Sequence, residues 1–169
     1  MTRSVLPPTR SENRQAWGAV LAMLLAAFVL VASEFMPVSL LTPIADELHI
    51  SEGRAGQAIS ISGAFALLTS LLISPLAGRL DRKVLLLSLT LLMIVSGTVV
   101  ALAPNYIIFM IGRALIGVAI GGFWSISAAT AMRLVSEHHI PRALAILNGG
   151  NALASVVAAP LGSFLGNIV

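Results

Sequence analysis

The chain has 169 residues, 57% of them hydrophobic and 10% charged, with a mean hydropathy of +0.97. Soluble domains carry about 25% charged residues, so the composition argues against a water-soluble domain, and the apolar runs are too long and unbroken for barrel strands. The net charge of +3 does not point to nucleic acid, because the basic residues sit at the ends of apolar runs; with no cysteine, disulfides and thiolate metal sites are ruled out.

Residues 1–16 are polar, hold Arg3, Arg10, Arg14, Pro7 and Pro8, and are expected to form a disordered cytoplasmic tail. The first apolar run, 17–41, carries Glu34 and Pro37. A basic start before an apolar run also suits a secretory signal peptide, but this run is longer than a signal core and further runs follow, so it reads as a membrane span. The loop over 42–55 holds Asp46, Glu47, Glu52 and Arg54. In the second span, 56–80, small residues recur every four positions at Ser62, Ala66, Ser70, Ser74 and Gly78, which predicts a close-packing face. Gly78 to Lys83 is a tight basic turn, in which Asp81 is expected to cap the next helix.

The third span, 84–103, is bulky and apolar apart from Ser96 and Gly97, and is expected to face lipid. Pro104-Asn105 turns the chain into the fourth span, 106–132, which contains Arg113 and, below it at four-residue spacing, Gly117, Gly121 and Ser125. One helical turn separates these positions, so a buried cation stands above a smooth packing stripe. His138 and His139 lie next to each other in the following loop, without helical ligand spacing, and no metal site is expected there. The fifth span, 142–168, repeats the small stripe at Ala154, Ala158, Gly162 and Gly166 around Pro160; no sixth span follows, so this stripe is expected to lie exposed.

The basic residues set an orientation. With the N-terminus in the cytoplasm, Arg3, Arg10, Arg14, Arg79, Arg82, Lys83, Arg133 and Arg142 fall inside, and only Arg54 falls outside. Glu34 and Arg113 are the charges well within the spans. Each lies seven residues from the outer end of its span, about 10 Å deep at 1.5 Å per residue. Ionisable groups at such depth are costly and default to function. A carboxyl buried alone keeps its proton and one beside a cation gives it up more readily, so this pair has the chemistry of proton coupling; a permanent structural pair is the plainer alternative. Asn148, Asn151 and Ser155 put polar groups on the fifth span, as solute ligands or as interhelical glue. Trp124 beside Phe123 offers a flat aromatic wall or an interfacial anchor. No nucleophile–base or metal constellation appears, so an enzyme is not expected.

Arg113-Ala114-Leu115-Ile116-Gly117 with Gly121-Gly122 resembles the fourth-helix motif of the major facilitator superfamily. The turn with Gly78, Asp81, Arg82 and Lys83 resembles that superfamily's gating loop, with a shorter glycine-to-aspartate spacing and no second glycine. Ala159-Pro160-Leu161-Gly162 resembles the fifth-helix motif of its drug–proton antiporters, with alanine for the usual glycine. Glu34-Phe35-Met36-Pro37-Val38-Ser39-Leu40-Leu41-Thr42-Pro43 and Gly121-Gly122-Phe123-Trp124-Ser125 are similar to the purine ribonucleoside efflux branch of that family; sugar and multidrug exporters share the first segment. The resemblance implies an all-α inner-membrane protein, driven by the proton gradient without a cofactor, that exports purine ribonucleosides and analogues. It also implies a twelve-helix fold with the solute between two halves, of which five helices are here: a fragment, a truncated product or one part of a split protein, with the C-terminal half as missing partner. A non-transporting membrane component that packs on a partner is the alternative from another class.

Overall fold

The computed structural model describes residues 10–77 and 81–166, with side-chain surroundings for 14–73 and 81–164. The elements are α1 (Arg10–Ser39), α2 (Leu41–Glu47), α3 (Glu52–Ala77), α4 (Arg82–Ala101), α5 (Tyr106–Leu134) and α6 (Ile140–Gly166), with one 3-10 turn, Glu137–His139, before α6. Among the described residues there is no strand, and α1, α3, α4, α5 and α6 are long and apolar enough to cross a membrane. A helix satisfies its backbone polar groups within itself, which is what such long apolar segments require in lipid.

Two boundaries differ from the sequence reading. Helix α1 includes Arg10 and the residues after it, so residues 10–16, expected as tail, belong to the helix. No proline or glycine interrupts the chain from Thr9 to Trp17, and a polar turn can extend an apolar helix into water. The segment expected as a plain loop contains α2. The chain leaves α1 at Leu40, and Pro43 falls in the first turn of α2, where a missing N–H costs nothing. His49, at φ 52°, ends α2 in the left-handed region; its N–H reaches Asp46 O and that of Ile50 reaches Ala45 O. Of the gating turn, Gly78 and the neighbouring Arg79 lie outside the described residues. Asp81 caps α4, accepting from the Lys83 N–H at 2.7 Å.

The largest interfaces join α1 to α6 and α3 to α5, and α4 lies along α5. The α3–α5 seam is a parallel register of small residues. A Cβ at Gly117 would strike the Ser62 backbone and one at Gly121 the Ala66 backbone. Ser125 Oγ reaches the Ser70 carbonyl at 3.4 Å, 55 residues away in sequence. The α6 stripe is not exposed as expected: Ala154 and Ala158 are buried, and Gly162 abuts Met36 and Ser39 of α1, while Gly166 lies outside the residues whose surroundings are described. Gly150 meets the Leu24 carbonyl lower on the same seam. A small-residue face is covered by whichever helix comes closest, and here α1 does so. Helix α4 buries Leu85, Leu89 and Ser96 and turns Val84, Leu87, Leu91, Ile94 and Val95 outward.

Candidate functional site

Arg113 stands on α5 one turn before Gly117, the first tight contact of the α3–α5 seam. Its side chain is 0% exposed. Nε donates to Ala58 O at 3.3 Å and Nη1 to Ser33 O at 3.2 Å. Nη2 donates to Glu34 Oε2 at 3.0 Å and to Ser62 Oγ at 3.1 Å. Ser62 in turn donates to Glu34 Oε1 at 2.7 Å. The expected pair is therefore the centre of a junction that also takes in Ser62 and two backbone carbonyls.

The sequence dictates part of this junction through a residue outside the charge and small-residue patterns, Pro37. The Ser33 carbonyl would ordinarily accept from the residue four positions on, which is Pro37 and has no N–H. Pro37 thus frees an acceptor inside α1, and Arg113 takes it. Ser62 belongs to the packing stripe and also to the junction, while its neighbours Ala66 and Gly121 pack without any hydroxyl. Close approach at Gly117 is what brings α3 near enough for Ala58 and Ser62 to meet the guanidinium.

The carboxylate is more open than the cation. Glu34 is 19% exposed in its side chain and lines a cleft of about 290 Å³ with Leu30, Val31, Phe35, Ile120, Trp124 and Asn151. The Trp124 ring, edge-on to Phe123 at 5.7 Å, belongs to this wall. Helical side chains lean toward the helix N-terminus, which carries the ring toward the Glu34 level. Asn151 is the member of the polar trio on α6 that lines the cleft. Asn148 and Ser155 are exposed and bond their own helix, to Leu144 O and Asn151 O at 2.9 Å each. Gly121 packs on Ala66, and Gly162 on α1. Pro160 is exposed on α6. Arg82 and Lys83 lie elsewhere, with Arg133 around an apolar groove of about 480 Å³ between α1, α4 and α5.

No group of three or more His, Cys, Asp or Glu able to hold a metal occurs among the described residues. His139 instead meets Ser136 Oγ through Nδ1 at 2.8 Å and stands edge-on to Trp17, whose ring lies beneath Arg142.

Among the described residues, five helices long and apolar enough to cross a membrane, with a buried acid–cation junction beside a cleft, define a helical membrane protein. The model of the Major Facilitator Superfamily matches residues 23–169, and the chain belongs to that superfamily. A Pseudomonas aeruginosa protein named Transcription regulatory protein OpdE is 65% identical over 164 residues, covering 95% of this chain and 41% of that protein. The Purine ribonucleoside efflux pump NepI of Salmonella paratyphi A is 42% identical over 171 residues, covering all of this chain and 43% of the pump. The protein of the same name from Salmonella typhimurium gives the same figures. The chain thus spans about two fifths of the length of these curated relatives. It is a multi-pass membrane protein of a transporter superfamily, whose members move small solutes.

Proposed function

We propose that this chain forms the first helices of a proton-coupled exporter of purine ribonucleosides and purine analogues, with Glu34 as the group that carries the proton. The observation that carries this reading is the position of Glu34: one carboxylate oxygen engages buried Arg113, while the side chain faces a cleft walled by Trp124 and Asn151. An aromatic face suits a flat purine, and an amide supplies both a donor and an acceptor for its edge. The 42% identity to proteins named as purine ribonucleoside efflux pumps supports the same substrate class.

In this reading the proton gradient is the energy source and no cofactor takes part. A second bundle, of the kind the longer relatives have room for, supplies the opposite wall and rocks against this one. Asp81, Arg82 and Lys83 serve at the inner mouth, and lipid covers the outward apolar face of α4. The eight-to-one distribution of basic residues supports a cytoplasmic N-terminus in the bacterial inner membrane. A reporter fused after Lys83 should read cytoplasm, and a periplasmic reading overturns that orientation.

The test is efflux from cells sensitised to toxic purine analogues that carry the full-length transporter. Glu34→Gln keeps the shape and removes the titrating group, so export driven by the proton gradient is lost while solute binding partly survives. Normal gradient-dependent export by Glu34→Gln sinks the reading. The name of the 65% identical relative favours a second reading, in which the chain is a membrane component that affects gene expression without moving a solute. That reading has no need of a titrating group, so any expression phenotype should persist in Glu34→Gln. Sugar or multidrug export by the same fold would leave the Glu34 dependence and change only the solute.

A further inference from the structure

We propose that Ser62 is a hydroxyl rotor that lets Glu34 take up and release its proton while Arg113 stays bonded. This rests on Glu34 as the proton carrier and names the residue that positions that proton. Ser62 has one O–H to donate and two lone pairs to accept with. Around its oxygen stand three acceptors, Glu34 Oε1 at 2.7 Å, Ile59 O at 3.0 Å and Ala58 O at 3.2 Å. One donor, Arg113 Nη2, points at it from 3.1 Å.

With Glu34 ionised, the hydroxyl hydrogen lies toward Oε1. When a proton arrives from the cleft it binds at Oε1, because Oε2 faces Arg113 Nη2, which has only hydrogens to offer. The new carboxyl O–H then becomes a donor to Ser62 Oγ. The Ser62 hydrogen swings to the Ile59 or Ala58 carbonyl, the common bond of a serine inside a helix. Ser62 Oγ now accepts from both the carboxyl and Arg113 and donates to its own backbone. The single bond made is the carboxyl O–H, and release to the cleft reverses each step. Arg113 keeps Ala58 O, Ser33 O and Ser62 Oγ in both states.

Packing alone does not call for this hydroxyl, since Ala66 holds the next position of the same stripe without one. Ser62 is 0% exposed, so no solvent water replaces it. Among the described residues Arg113 is the charged group that meets Glu34. Helix α3 adds Ser62 and α6 adds Asn151 to its surroundings, and neither titrates near neutral pH.

The experiment follows the carboxyl C=O stretch of Glu34 by infrared difference spectroscopy in this 169-residue chain, reconstituted in lipid and taken through a pH titration. The band is assigned by its loss in Glu34→Gln. In Ser62→Ala the band shifts to higher frequency, as for a carboxyl deprived of its hydrogen-bond acceptor. Ser70→Ala, two turns along α3, leaves it in place. If Ser62→Ala does not insert, Ser62→Cys, a weaker donor and acceptor of similar size, should produce the same shift in smaller measure. A Glu34 band that neither Ser62 variant moves overturns the rotor and leaves the proton-carrier reading standing. Absence of any titrating band lost in Glu34→Gln overturns both.

Discussion

Along the α3–α5 seam, the backbones of Ser62 and Ala66 lie against Gly117 and Gly121; along the α1–α6 seam, Leu24 and Met36 lie against Gly150 and Gly162. Both seams are parallel, and both use glycine to let two backbones touch. They differ in what they hold. The α3–α5 seam carries a fully buried cation, whereas the α1–α6 seam buries the small apolar residues Ala154 and Ala158. The two meet at Arg113, which bonds α3 through Ala58 and Ser62 and α1 through Ser33 and Glu34. The direct interface between α1 and α5 is small beside either seam. One side chain therefore ties two strong helix pairs across a weak join. The tie is rigid on the cation side and open to the cleft on the acid side.

The largest expected effect comes from cutting that tie. Arg113→Ala strands the Glu34 carboxylate and the two carbonyls; breaking one side of a buried pair costs about 3–5 kcal/mol. We expect loss of most folded protein in a thermal-unfolding or detergent-yield measurement. Adding Glu34→Gln removes the stranded charge and should recover part of that loss. Yields that merely add across the two changes would show that the residues do not couple.

The next effect separates seam glycines from others. Gly121→Val forces a branched side chain into the Ala66 backbone, which has no flexible end to move aside. Overpacking costs about 1–3 kcal/mol and occasionally more. Gly149 has nothing within 4 Å, so Gly149→Val in α6 should unfold close to the parent. Equal melting of Gly121→Val and Gly149→Val would mean that Gly121 does not lie against the Ala66 backbone.

Much of this contrast was legible in the residues and some was not, for physical reasons. Glu34 and Arg113 stood out because a charge inside an apolar run is costly. Four-residue spacing marked both faces of the α3–α5 seam. The partner of the α6 stripe was not legible, since small residues say that some backbone comes close and not which one. Ser62 was hidden inside a packing pattern that it also serves. The freed Ser33 carbonyl had a signal, a proline four residues on, which identifies an acceptor only when helix hydrogen bonds are counted one by one. Asn148, Asn151 and Ser155 occupy one helical face, and only the position of α1 and α5 beside α6 distinguishes Asn151 from the other two.

The smallest effect concerns that last distinction and tests the cleft rather than the fold. Asn151 lines the space beside Glu34, while Asn148 is exposed and returns its amide to Leu144 O. Neither is held by another helix through its side chain, so alanine at either position should leave insertion unchanged. A solute hydrogen bond is worth about 1 kcal/mol net, roughly a fivefold change in apparent affinity. Asn151→Ala in the full-length transporter should therefore raise the solute KM about fivefold, with little change in maximal rate at saturating solute. Asn148→Ala should leave KM close to the parent value, because its side chain is exposed outside the cleft and donates to its own helix. Trp124→Ala should add to the Asn151→Ala effect, since the ring offers a different contact to the same solute. If Asn148→Ala raises KM as much as Asn151→Ala, the solute lies along the outer face of α6 rather than in the cleft beside Glu34, and proton and solute then meet in separate places.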